Sequence, residues 1–261
     1  MKSSAFRLFA LSFLLLTLFA VAAYADSINL GTAGSYAVLA GTTVTNTGTT
    51  VLNGDLGVSP GCAVTGSPTV HGTINACNAA AEQAQDDLTK AYNKAAGLKH
   101  TATLAGTVGN ATLKPGVYKF SSSALLTGTL TLKGKPGALF VFQIPSTLTT
   151  ASSSSIIFIN SMTGKPMKDP NIFWQVGSSA TLGTTTAFEG NILALTSISL
   201  NTGATITCGS ALARNGAVTL QGNTITTCAN TVSTVPEPGT MGLLGTGLVI
   251  LVGAARRKMR I

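Results

Sequence analysis

Residues equipped for covalent or acid–base chemistry are few in this 261-residue chain: two histidines, eight carboxylates and four cysteines. His71 and His100 stand in turn-like or helix-exit contexts with no serine or cysteine motif beside them, so neither has a nucleophile to activate. Asp55 sits in an Asn-Gly-Asp turn and Glu189 at a strand end, each without a visible carboxylate partner, whereas glycoside cleavage needs such a pair. No phosphate-loop signature occurs. Cys62, Cys77, Cys208 and Cys228 include no C-x-x-C pair, which argues against zinc. In an exported chain four cysteines suggest disulfides with three possible connectivities, and sequence proximity favours Cys62 with Cys77 and Cys208 with Cys228. Trp174 is read as core. The chain is therefore expected to have no catalytic residue, metal or cofactor.

Hydroxyls, by contrast, recur. FQIPSTLTTASSSSI from Phe142 is followed by WQVGSSATLGTTTAF from Trp174, LALTSISLNTGATIT from Leu193 and LARNGAVTLQGNTIT from Leu212. Trp174, Leu193 and Leu212 are 19 residues apart, about one coil of a solenoid. Coils stacked at strand spacing, roughly 4.7–4.9 Å, would place the clusters at 149–155, 183–186, 201–205 and 221–224 on one face. The candidate binding residues there are Thr150, Ser152, Thr184, Thr186, Thr202, Thr205 and Thr224. A ladder of short hydroxyls facing solvent makes a surface rather than a pocket.

The elements that would position this ladder are short. β-type runs occur at 36–39, 43–45, 51–52 and 55–58, with Asn53-Gly54 and Ser59-Pro60-Gly61 as turns. Strands resume over 112–120, around a Pro115-Gly116 turn, and in an alternating run over 125–132. Between them the pattern becomes helical: Ala80, Ala84, Leu88, Ala91 and Ala95 share a face, with Asn75 as N-cap and Gly97 as stop. This predicts one helix over about 76–96, docked along a sheet. An insert at 160–170 interrupts the period. A mainly β domain over 26–230 is expected, a solenoid with one long helix alongside.

Both ends carry addresses. Lys2 and Arg7, an apolar run over 8–23 and Ala23-Tyr24-Ala25 have the plan of a secretory signal over 1–25. At 231–261, Val235-Pro236-Glu237-Pro238 precedes an apolar span over 239–255 and the cluster Arg256-Arg257-Lys258-Met259-Arg260, a hydrophobic helix suited to transient membrane insertion. These ends hold six of the sixteen bases and one of the eight acids. The formal charge of +8 thus falls to ten bases against seven acids, about +3, in the body. A basic face for nucleic acid is therefore neither needed nor supported.

The order Pro236-Glu237-Pro238, apolar span and arginine cluster resembles the PEP-CTERM sorting tail, which implies an exosortase-type processing enzyme and a secreted or cell-surface body. Within the body, Leu30-Gly31-Thr32-Ala33, Tyr36-Ala37-Val38-Leu39-Ala40-Gly41, Asn53-Gly54-Asp55-Leu56-Gly57-Val58-Ser59-Pro60-Gly61, Pro115-Gly116-Val117-Tyr118, Gly190-Asn191-Ile192-Leu193-Ala194 and Ala211-Leu212-Ala213-Arg214-Asn215-Gly216 together resemble the ice-binding family catalogued as DUF3494. The resemblance runs over 28–227. It implies a right-handed discontinuous β-solenoid of triangular section with a long α-helix alongside, adsorbing to ice through one flat face. The family's Thr-(Ala or Gly)-x-(Thr or Asn) pattern is met by Thr202-Gly203-Ala204-Thr205 and Thr47-Gly48-Thr49-Thr50, while 150–153 and 184–187 depart from it. The function so implied is that of an exported, monomeric, non-enzymatic antifreeze protein inhibiting ice recrystallisation, with the ice crystal surface as partner. The alternative is a structural or adhesive protein of the extracellular matrix on the same scaffold.

Overall fold

A computed structural model describes residues 27–169 and 171–228, and the expected signal and sorting tail lie outside them. Short strands assemble into three sheets of nine, nine and eight strands, parallel except for one hairpin strand, around a common apolar interior. One coil runs Asn191–Ala194 on face A, Ile198–Leu200 on face B and Thr205–Thr207 on face C, then returns to face A as Ala211–Ala213. Side chains of a strand alternate between its two sides. A triplet such as Ile198-Ser199-Leu200 therefore buries its first and third residues and presents its second to solvent.

Face A departs from this alternation because it is covered on both sides. All five residues of Phe140–Ile144 and of Ile172–Val176 are buried. Inward, Phe142 stacks on Trp174 with ring centroids 3.9 Å apart and on Tyr118 at 5.6 Å. Outward, Leu39, Val141, Phe173, Leu193 and Leu212 pack against Ala84, Leu88, Ala91, Tyr92 and Ala95 of the helix α1, Ala79–Gly97.

On face B the strands stand in the order 63–65, 43–47, 218–221, 198–200, 180–182, 148–150, 124–126 and 107–108. The first described coil lies inside the stack; from it the chain builds to one end, crosses to the other along α1 and builds back until Val218–Gln221 docks on Thr43–Thr47. A helix of 19 residues spans about 28 Å, about six steps of 4.8 Å between coils. It thus makes most of the transfer, which on face A is eight steps from Ile74–Ala76 to Ala102–Leu104.

Four details differ from the sequence expectation. Asn78, not Asn75, caps α1, accepting the Ala81 N–H at 3.0 Å; Asn75 still belongs to the strand Ile74–Ala76. Ala80 is exposed, and the docked face is Ala81, Ala84, Leu88, Ala91, Tyr92 and Ala95. The 19-residue register slips by one: Trp174 stacks on Ile192 and Leu193 on Leu212, so Trp174 points inward and Leu193 toward α1. The run over 125–132 divides into Ala124–Leu126 and Thr129–Gly134, with Gly128 turning the corner at φ 62°. The disulfides Cys62–Cys77 and Cys208–Cys228 form as proximity favoured, each tying neighbouring coils. Trp174 is core, 2% exposed, and donates from its indole N–H to the Glu189 carbonyl at 3.2 Å.

Candidate functional site

The repeated hydroxyl clusters do not share a flat face; they turn the corner between faces B and C. Each turn places one residue in the left-handed region, giving a column of Gly66, Gly48, Gly222, Gly203, Thr185, Ser153, Gly128 and Asn110, all with φ between 52° and 74°. The glycine of Thr202-Gly203-Ala204-Thr205 is thus a corner residue, placed where a side chain is disfavoured. Most hydroxyls in these turns are engaged by the protein. Thr150 and Thr186, 2% and 0% exposed, bond each other at 2.8 Å, and Thr150 Oγ1 also accepts the Gly183 N–H. Neither can reach an external surface, contrary to their selection as binding candidates; they close the turn from inside. Ser152, Thr184 and Thr202 are exposed at the corner, with Thr202 bonded to Gln221 at 3.3 Å. Thr205 and Thr224 pair on face C, in a column that continues through Ala187 and Val51.

A more regular ladder lies on face B, at one outward-facing position in each strand. Its registered column reads Thr65, Thr45, Thr219, Ser199, Thr181, Thr149, Leu125, Thr107. Each of these side chains is at least partly exposed, and at Thr181, Ser199 and Thr219 both sequence neighbours are apolar and buried. At about 4.8 Å per step the eight rungs extend about 34 Å. Among the described residues, the hydroxyls of Thr45, Thr149, Thr181, Ser199 and Thr219 have no protein partner, in contrast to the corner hydroxyls. Face B also stays open where face A does not, and among the described residues it carries no hairpin such as the one on face C. Face A lies under α1, and on face C the hairpin Pro166–Met167 pairs with Ser155–Asn160. The ladder was legible as apolar–Thr/Ser–apolar triplets such as Ala180-Thr181-Leu182, Ile198-Ser199-Leu200 and Val218-Thr219-Leu220. The longer Thr/Ser clusters beside them belong to the corner turns.

The array presents methyls and hydroxyls from stiff β-branched side chains, and its rungs carry no titratable group. Titratable chemistry gathers elsewhere, under the hairpin. Glu189 is buried and, contrary to the sequence expectation, has a carboxylate neighbour: the Asp169 N–H donates to its Oε1 at 3.2 Å. Loss of hydration on burial pushes the Glu189 carboxyl up to about 7, with the Asp169 charge adding and backbone N–H bonds opposing. Asp169 is itself 2% exposed and bonded to the N–H groups of Gly137 and Asn171, so the pair braces a corner rather than facing a substrate. His71 and His100 remain exposed.

Comparison with known proteins gives a consistent result. The profile of the ice-binding-like family matches residues 38–226, and that of the PEP-CTERM protein-sorting motif matches 234–258. An ice-binding protein of Nostoc sp. (strain HG1) is 53% identical over 93% of this chain and 92% of its own length. One from Flavobacterium frigoris (strain PS1) is 36% identical over 77% and 76%. Among solved structures, an ice-binding protein from the Antarctic ascomycete Antarctomyces psychrotrophicus has a TM-score of 0.71 at 41% identity, over 77% of this chain and 98% of that one. An ice-binding protein from an Arctic yeast, described for its antifreeze activity, has a TM-score of 0.70 at 30% identity, over 78% and 95%.

Proposed function

The chain belongs to the ice-binding-like family, and from that premise we propose that it is a non-enzymatic ice-binding protein adsorbing to ice through face B. The observation that carries this reading is the registered column from Thr65 to Thr149, outward-facing, uncovered and with most of its hydroxyls free of protein partners. Hydroxyls held by a parallel sheet at fixed spacing order the water above them, and methyls between them leave that water few alternative bonds. The ordered layer merges with the ice lattice at little further entropic cost. Each rung contributes weakly, but after the first contact the others act within one rigid body, so the array holds where a single rung would not. Ice growing between adsorbed molecules must curve, which slows growth and recrystallisation.

Ser152, Thr184 and Thr202 border face B and extend the adsorbing surface at its corner. Thr205 and Thr224 on face C are assigned no part in it. The body acts outside the cell or on its surface: the signal over 1–25 is removed near Asp26, and an exosortase-type enzyme handles the tail at Pro236-Glu237-Pro238.

Replacing Thr181 or Thr219 by Tyr tests the face. Ice recrystallisation inhibition should fall strongly while stability changes by no more than about 0.5 kcal/mol, as for most exposed substitutions. Thr205→Tyr and Thr224→Tyr should leave inhibition intact. Equal loss from both pairs would remove the assignment to face B, and absence of inhibition in the folded wild type would remove the function.

A further inference from the structure

The insert at 160–170 and a second, smaller expansion enlarge the same corner of the solenoid. Where most coils advance 18 or 19 residues, Tyr118 stacks on Phe142 after 24 and Phe142 on Trp174 after 32. The extra residues lie between faces C and A, where an open recess of about 600 Å3 is lined mainly by 114–115 and 133–138, with Ser161 from the insert. Lys114, Lys133 and Lys135 line it with Pro115, Pro136 and Ala138. All three lysines are exposed, and Lys165 and Lys168 stand exposed on the adjoining insert.

The recess is braced. Gly137 takes φ 77° and donates its N–H to Asp169 Oδ2 at 2.6 Å, the Ala138 N–H returns to the Lys135 carbonyl at 3.1 Å, and the Ser161 N–H bonds the Gly134 carbonyl at 2.7 Å. Between residues 88 and 236 the sequence contains only two carboxylates, Asp169 and Glu189. Both are buried beneath this corner, at 2% and 6% exposure, so among the described residues after 88 no exposed carboxylate balances the five lysines. Unneutralised cations at a concave site concentrate anions there.

We propose that this corner binds a chain of acidic polysaccharide, with lysine ammonium groups on its carboxylates and the apolar faces of Pro115, Pro136 and Ala138 against its sugar rings. A lipid surface fits less well, since Met162 is the one large apolar side chain among the described residues exposed beside these lysines. Single-stranded nucleic acid would use aromatic stacking platforms, which the lining lacks. The site is separate from the Thr ladder of face B, so such a contact could tether the protein while leaving that face free.

Fluorescence anisotropy of labelled alginate fragments tests this on the intact secreted protein, with dextran as the neutral control. Alginate should bind, more weakly as salt rises, and dextran should not. Combining Lys114→Gln, Lys133→Gln and Lys135→Gln should weaken binding about a hundredfold, or about fivefold per lysine, with ice recrystallisation inhibition unchanged. The corresponding triple Lys→Arg variant should retain binding. No alginate binding by the wild type, equal binding by the Gln variant, or binding to phosphatidylglycerol vesicles but not to alginate would each overturn the proposal.

Discussion

Thr185 shows how one residue carries architecture that resembles function. It occupies the left-handed column at φ 56°, where glycine stands at five of the eight corners. A β-branched side chain is strained there by about 1–2 kcal/mol. Its hydroxyl is used locally, bonding Ser153 at 2.9 Å and its neighbour's carbonyl at 2.7 Å. Thr185→Gly should therefore raise stability by up to about 1 kcal/mol, read as a higher denaturation midpoint; a lower midpoint would show that the hydroxyl contacts outweigh the strain. Glu189 makes a second prediction at this scale. Its folded-state pKa of about 7 lies above the ordinary 4.5, so between these values the folded protein holds more protons than the unfolded chain. Its contribution to stability is fully present below about 4.5 and is lost as pH rises through 7. Thermal midpoints should fall across that window in the wild type and remain flatter in Glu189→Gln. The sequence around Glu189 carries no sign of Asp169, which lies 20 residues away and meets it only because the insert folds back.

At the scale of the element, α1 is fastened at its middle and at its C-terminal end by groups distant in sequence. Asp87 accepts the Thr32 N–H at 3.0 Å, the Thr32 hydroxyl at 2.9 Å and the Lys90 ammonium at 2.9 Å. These bonds, led by the Thr32 N–H, hold its carboxyl down at about 2. That stabilisation is present above the ordinary 3.8 and is lost as pH falls toward 2. Asp87→Ala should cost about 1–2 kcal/mol at neutral pH and reduce the acid sensitivity of unfolding. Gly31, at φ 54°, has the Asp87 carboxylate where a Cβ would stand, so the 3-10 turn Gly31–Ser35 requires glycine at its start. At the C-terminal end the Gln143 side-chain amide donates to the carbonyls of Ala95 at 2.9 Å and Leu98 at 2.7 Å. Gln143→Leu leaves those buried acceptors unpaired and should cost about 1–3 kcal/mol, measurable by chemical denaturation. Helical spacing made α1 legible, but its cap was misplaced by three residues because Asn75 and Asn78 both suit the position and only the strand ending at Ala76 decides between them.

For the whole molecule the length of the ladder is the quantity that matters. Six hydroxyl rungs run without interruption from Thr65 to Thr149; Leu125, 37% exposed, breaks the column before Thr107. Leu125→Thr should lengthen the uninterrupted array to eight rungs and raise thermal hysteresis. An unchanged or lower value would confine adsorption to the six-rung segment. Because no rung titrates, ice activity should vary little with pH or salt as long as the fold persists, in contrast to the salt dependence expected at the lysine corner.

The amino-acid sequence by itself determined the kind of object. Triplets that bury alternate side chains cannot close a globular core alone and must stack, and an alanine-rich amphipathic stretch among them must lie along the stack. Scarce carboxylates and histidines left little for catalysis. Tertiary structure alone decided which hydroxyls face outward, because a slip of one residue moves a side chain to the other side of a strand. Thr149 and Thr150 are neighbours in sequence, yet one stands on the open face while the other closes a buried turn. It alone decided, too, that the first coil meets the last: the pairing of Val44 with Val218 joins residues more than 170 positions apart, and only the crossing made by α1 brings them together.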